Sequence, residues 1–472
     1  MGPASESEIK AARSTLESNF NDAKAHRNYI YVMGLNNPLL IAQYRIWMKK
    51  YPQNVNFPLA IGTFYHNAEM PQAKEFLLKA AELEPQNADI WSMLANDAGR
   101  WGQDDLSTAY LRKAMLADTA NATYAASYLF ALKNGDPDYR QKVFDFVKRF
   151  PASEQGAQAL YWLADRDTSL NDRIQDYEQL RQTYPPQKFR WSSSGMIGLA
   201  DAYLQTNPEK ALTLSNEMGE EKEWQIRKQL AESLIQINQL EQSQSYKEAA
   251  SKADQIKLPS FNYLNDFVAL KKADLLAKAG DVKAAYDSLA TKYAKLPTYP
   301  LYTALTGYAQ SLGKNKKQML KDVETIRHHT AVSAYPFELD LYTSKGKLNL
   351  HDLKGKVVLL TFWFPGCSPC RAEFPHFQSV INKFKGKDVV YVGINVDPEQ
   401  DPYVLPLLKN SNYSFIPLRG SSEFARKNYG VQGEPENFLI DQDGKIIFKD
   451  FRIDNSNHRT LELMISSLLQ KG

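Results

Sequence analysis

The sequence predicts a multidomain chain: an all-α solenoid over residues 1–330, followed by an α/β domain over residues 331–472. Three observations carry that prediction. Up to about residue 330, apolar residues recur at three- and four-residue spacing, and Asn, Gly and Pro interrupt the pattern about every 12 to 18 residues. Near residue 331 the spacing shortens to strand-like alternation and then to the apolar run Val357 to Phe364. Both cysteines of the 472-residue chain stand three positions apart in "FPGCSPC", residues 364–370.

Bulk properties bound the function classes. The length suits roughly two to four domains. Hydrophobic residues at 43% and charged residues at 24% match a soluble globular protein with sizeable cores. Lysine and arginine total 57 against 54 acids, a net charge of +3, so the surface is mixed and offers no electrostatic case for nucleic acid. No apolar run approaches ~18 residues, so no membrane span is predicted. The polar start "MGPASESEIKAARS" is not a secretory signal, and Met1-Gly2-Pro3 reads as an expression remnant, with a natural signal or lipid anchor expected to have been removed. Two cysteines are too few for a disulfide framework in a chain this long.

Within the helical region a repeat spaces Phe57 from Trp91, Leu77 from Leu111, Ala80 from Ala114 and Ala73 from Ser107 by 34 positions each. An aromatic opens the first helix of each unit, small residues mark where the second crosses it, and Pro85 ends the first unit. Over roughly residues 55–120 this resembles the tetratricopeptide (TPR) pattern of antiparallel helix pairs. The stretches from Gly198 and Ala273 read as further pairs, turning at Asn207-Pro208 and Gly280-Asp281. A helix pair cannot bury its own apolar face, so stacking into a TPR-like solenoid is expected. The Glu-, Lys- and Gln-rich stretch 221–262 is expected to divide that solenoid into two halves.

Beyond residue 331, the run ending at Phe364 reads as a strand buried on both faces. A helix follows with Phe374, Phe377, Ile381 and Phe384 on one face, then a strand over Val389 to Val396 and a helix near 401–410. "SFIPLRG", a short helix over Phe424 to Tyr429, "NFLID", an Asp443-Gly444 turn, "KIIFKDF" and a last helix near 458–470 complete the series. Strand, helix, strand, helix, hairpin and closing helix is a thioredoxin-like arrangement.

Cys367 falls where the buried strand hands over to the helix. Unpaired N–H groups and the positive end of the helix dipole favour a thiolate there, lowering its pKa from roughly 8.5. Cys370 lies one turn deeper, within reach of Cys367. Such a pair can attack a substrate disulfide and then resolve the mixed disulfide. Half of a zinc site is the competing reading, but no second Cys-x-x-Cys or His pair accompanies it, and His328-His329 reads as a solvated helix end. No metal and no cofactor are predicted. A purely structural disulfide is the other alternative, although a loop this short gains little from closure.

The stretches "LKGKVVLLTFWF", "CSPCRAEFP", "VGINVD" and "YGVQGEPENFLIDQDGKI" resemble the TlpA/ResA-type thiol–disulfide oxidoreductases over residues 332–472, roughly 30% of the chain. The resemblance implies an extracytoplasmic, periplasmic setting, protein disulfide clients and recharging by a membrane thiol donor of the CcdA/DsbD type. It also implies that Cys367 attacks, Cys370 resolves, and Glu373 is the buried acid that takes the resolving thiol's proton. A glutamate that merely stabilises the first helical turn is the alternative for Glu373. Pro435, after Glu434, matches a cis-proline that presents the preceding backbone to an extended peptide. Pro375 matches the proline that bends the active-site helix. Trp363 and Gly366 complete the expected substrate-facing set.

Two departures from that family stand out. Pro365-Gly366 replaces the usual Trp before the first cysteine, so the exposed backbone is expected to admit a bulkier partner. Glu434 stands where a small or β-branched residue is commoner, and a carboxylate there would oppose the thiolate. Thr361 stands where thioredoxin keeps an acid, which leaves Glu373 as the proton-relay candidate. The predicted function is therefore reduction of protein disulfides, with the helical region holding the client. Disulfide oxidation or isomerisation, an adaptor in which the α/β fold only binds, and a thiol peroxidase are the alternatives. The last is disfavoured because Phe364 offers no hydroxyl where peroxidases need one.

Overall fold

The computed structural model describes residues 4–132, 136–258, 264–454 and 457–469; Met1-Gly2-Pro3 and the end of the 221–262 stretch lie outside them. Among the described residues nineteen helices come first, numbered α1 (Glu6–Ser18) to α19 (Lys316–Thr330). Consecutive helices pack pairwise, as in α4 (Asn56–Asn67) with α5 (Ala73–Leu83) and α6 (Ala88–Arg100) with α7 (Asp104–Ala117).

Several of the turns between consecutive helices share one device. A residue with positive φ ends the first helix, and the next N–H reaches back to a carbonyl five residues earlier, as in Met70 to Tyr65 (2.8 Å), Gln103 to Ala98 (2.9 Å) and Asp281 to Leu276 (2.9 Å). Glycine fills that left-handed position at Gly102, Gly280 and Gly313, where no Cβ opposes it. Glu69 (φ 55°) and Gln244 (φ 61°) hold the same position with full side chains. Other pair boundaries follow the sequence signals directly. Asn207 caps Pro208–Met218 by accepting the Lys210 N–H, and Asp281 caps Val282–Lys295 by accepting that of Ala284.

The two 34-residue units are not equivalent in packing. Phe57 is fully buried, whereas its counterpart Trp91 is partly exposed and donates from Nε1 to the Pro85 carbonyl at 2.7 Å. The expected break falls on α14 (Lys222–Gln242) and α15 (Tyr246–Asp254). Their Trp224, Leu234 and Ala250 belong to one continuous apolar core that runs from Ala125 to Leu275.

The C-terminal part is a six-stranded sheet in the order β1-β8-β7-β4-β5-β6. Its strands are β1 (Val332–Ser333), β4 (Val357–Trp363), β5 (Val389–Asn395), β6 (Ile416–Arg419), β7 (Glu436–Ile440) and β8 (Lys445–Lys449). A separate hairpin joins β2 (Glu338–Asp340) to β3 (Lys347–Asn349). Central β4 runs parallel to β5 and antiparallel to β7. Every residue of β4 is buried. One face packs with Phe374 and Phe377 of α20 (Ser368–Lys383) and Leu461 of α23 (His458–Leu469), the other with Ala425 of α22 (Ser422–Tyr429). The architecture is thus an all-α array followed by a thioredoxin-like α/β domain.

The helical array meets this domain twice. On one side Tyr403, in α21 (Asp401–Asn410), donates to buried Asp97 at 3.0 Å and sets its ring edge-on to Trp101 at 4.8 Å. Asn410 donates to the Trp101 carbonyl at 2.7 Å. On the other side Arg327 of α19 donates to Ser467 at 2.8 Å and stacks on Phe448 at 4.8 Å. Burial lowers the pKa of that guanidinium to about 10.

Candidate active site

Cys367 is the N-cap of α20, at the mouth of the strand-to-helix turn that leaves β4. Its Sγ accepts the Cys370 N–H at 3.2 Å and is bonded to the Cys370 sulfur, with Cα atoms 5.3 Å apart. The dipole and first-turn donors of α20 therefore converge on the outer sulfur. Cys367 is 4% exposed and Cys370 is fully buried, which orders the two sulfurs as outer and inner.

Glu373 lies one turn beyond Cys370, buried at 5% exposure. Its carboxylate accepts the Asn437 side-chain amide at 2.8 Å and the Ile453 N–H at 2.9 Å. Burial nevertheless holds its pKa above the ordinary carboxylate value, with these two hydrogen bonds working against the rise. Asn437 also accepts the Thr361 hydroxyl at 2.9 Å, and Thr361 and Asn437 are register partners across β4 and β7. Thr361 therefore orients the amide that holds Glu373. A carboxyl poised in this way can exchange a proton with a neighbouring thiol.

Pro435 is buried at the start of β7, and its bond to half-exposed Glu434 is cis. Register places Glu436 opposite Phe362, so this turn flanks the end of β4 from which the cysteines emerge. Pro375 lies inside α20 and is exposed. Trp363 does not belong to a substrate-facing surface. It is fully buried, edge-on to Phe374 (5.1 Å) and Phe415 (5.3 Å), because the last residue of β4 turns inward beneath α20.

Gly366 does admit a neighbour, and that neighbour is the chain's own helical region. The Gly366 N–H donates to the Gln400 amide oxygen at 2.5 Å, and the Gln400 amide nitrogen donates to Glu69 at 2.7 Å. Arg100 pairs with the other carboxylate oxygen of Glu69 at 3.1 Å. Arg371, beside Cys370, is half-buried against Gly99, and desolvation lowers its pKa from the usual guanidinium value. Sequence reasoning missed Glu69, Gln400, Arg371 and Asn437. Only Glu69 left a signal, as a bulky residue at a turn position that suits glycine. Among the described residues no group of His, Cys, Asp and Glu is arranged to hold a metal ion.

Residues 331–449 match the model of the AhpC/TSA family. The likeness to that family covers the α/β domain alone. The thiol-disulfide oxidoreductase ResA of Bacillus thuringiensis subsp. konkukian is 38% identical over 101 residues, 21% of this chain and 58% of that protein. ResA of Bacillus subtilis is 33% identical over 105 residues, 22% of this chain and 58% of that protein. The thiol:disulfide interchange protein DsbE of Pseudomonas fluorescens biotype C is 34% identical over 110 residues, 23% of this chain and 60% of that protein. The chain spans about three fifths of the length of the curated relatives it matches. The family match lies wholly within the α/β domain, and the helices described before it lie outside residues 331–449.

Proposed function

We propose that the chain is an extracytoplasmic thiol–disulfide oxidoreductase that reduces protein disulfides, with Cys367 and Cys370 as its dithiol. The observation that carries the reading is Cys367 at the cap of α20, its sulfur taking the Cys370 N–H, with the second sulfur buried behind it. The cysteine-domain likeness to ResA and DsbE supports the same reading.

In the reduced protein the Cys367 thiolate attacks one sulfur of the client disulfide. The client S–S bond breaks, one client thiolate leaves and takes a proton, and a mixed disulfide forms. Cys370 then gives its proton toward the Glu373 carboxylate and attacks the Cys367 sulfur. The second client thiol is released, and the protein is left with the Cys367–Cys370 disulfide. Two electrons have passed to the client, and a membrane thiol donor of the CcdA/DsbD type restores the dithiol. Glu434 and Pro435 flank the approach to Cys367, and the TPR-like array holds the client. A thiol peroxidase is not supported, since Phe364, three residues before Cys367, is apolar and packs into both faces of the core.

Turnover of insulin disulfides by the full chain tests this. Cys367→Ser should abolish turnover, and Cys370→Ser should stall at a stoichiometric mixed disulfide through Cys367. Full activity in Cys367→Ser would instead make the helical array the working part and the chain an adaptor.

A further inference from the structure

Glu69 stands at a left-handed turn position (φ 55°) where three sister turns place glycine. A glutamate there accepts a steric penalty that glycine avoids. Its side chain spans from the helical region to the α/β domain. One carboxylate oxygen takes Arg100, itself buried, and the other takes the Gln400 amide, whose oxygen in turn holds the Gly366 N–H. That N–H belongs to the residue immediately before Cys367. Gly366 makes the bridge possible, because a Cβ at that position would overlap Glu69 Oε2 and lie 2.9 Å from Gln400 Oε1.

We propose that Glu69 is a specificity-determining and positioning residue of the dithiol site. By pinning Gln400 against Gly366, it makes the turn between α4 and α5 one wall of the entrance to Cys367. A client then approaches from the Pro435 side, and a bulky folded disulfide is admitted less readily than a small one. The wall is built to part. Arg100 Nη1, on the guanidinium that holds Glu69, is buried without a hydrogen-bond partner among the described residues, so opening the contact would hydrate it. This inference rests on the oxidoreductase reading and adds the determinant of client size to it.

Glu69→Gly and Gln400→Ala in the full chain test it. The first removes the side chain and gives the turn the residue its φ favours, and the second removes the same bridge from the α/β side. Each variant should raise kcat/KM for insulin, relative to that for oxidised glutathione, at least threefold. The double variant should exceed neither single change, because one bridge is lost in all three. A general structural defect would lower both substrates together and leave the ratio alone. A ratio within threefold of the wild type in either single variant would overturn the proposal while leaving the oxidoreductase reading intact. A wild-type protein that reduces neither substrate would overturn that reading and this inference with it.

Discussion

At the residue scale the chemistry depends on groups whose ordinary behaviour burial has altered. Glu373 is the clearest case. Its carboxyl is held above the usual range by desolvation while two donors orient it. Glu373→Gln should prolong the mixed disulfide by about 10²-fold, the usual lower bound for losing a general acid–base group. It should also destabilise the fold by about 1–3 kcal/mol, because the new amide must set a donor against either Asn437 or the Ile453 N–H. Rapid-quench trapping of the intermediate and a denaturant titration measure the two effects. An unchanged intermediate lifetime would reduce Glu373 to a structural role. Cys367 and Cys370 were legible from their spacing, and Glu373 only through the resemblance of the CSPCRAEFP stretch to a known family. Asn437 was not, because its role arises only when β7 pairs with β4 and places it opposite Thr361.

At the scale of elements, strands and most turns were legible because their signals are local. The apolar run of β4 carries its own evidence of two covered faces, and Asn207, Asp281 and Gly280 announce their caps. Trp363 lies within that run and is buried with it, so it belongs to the core and not to the substrate-facing set the resemblance suggests. The end of α4 carries a pH response of its own. Burial, reinforced by Arg100, lowers the pKa of His66 to about 4. The folded value lies below the unfolded one of about 6.5, so the neutral ring stabilises the fold above that value, and the contribution is lost as pH falls from about 6.5 toward 4. Buried Asp97 and Glu373, both raised, change stability in the opposite sense over the acid range. The Tm should fall between pH 7 and pH 5, and His66→Gln should flatten that slope. An identical slope in the variant would contradict the assignment.

At the scale of the whole molecule, the contacts between the two parts were invisible in sequence. Glu69 and Gln400 are 331 residues apart, and Arg327 and Ser467 are 140 apart. Nothing periodic links such positions; they meet only in the folded chain. The α/β domain is thereby held at both its active-site face and its β8–α23 face. Held in this way, the domain is proposed to work as a dithiol reductase. The most direct test is the reduction potential of the Cys367–Cys370 couple in the full chain, measured by equilibration in defined thiol–disulfide buffers. A dithiol reductase should show a reversible two-electron couple near or below about −250 mV, close to that of thioredoxin. A value nearer about −120 to −180 mV would contradict the reductase direction, and the absence of any reversible couple would contradict the enzymatic reading altogether.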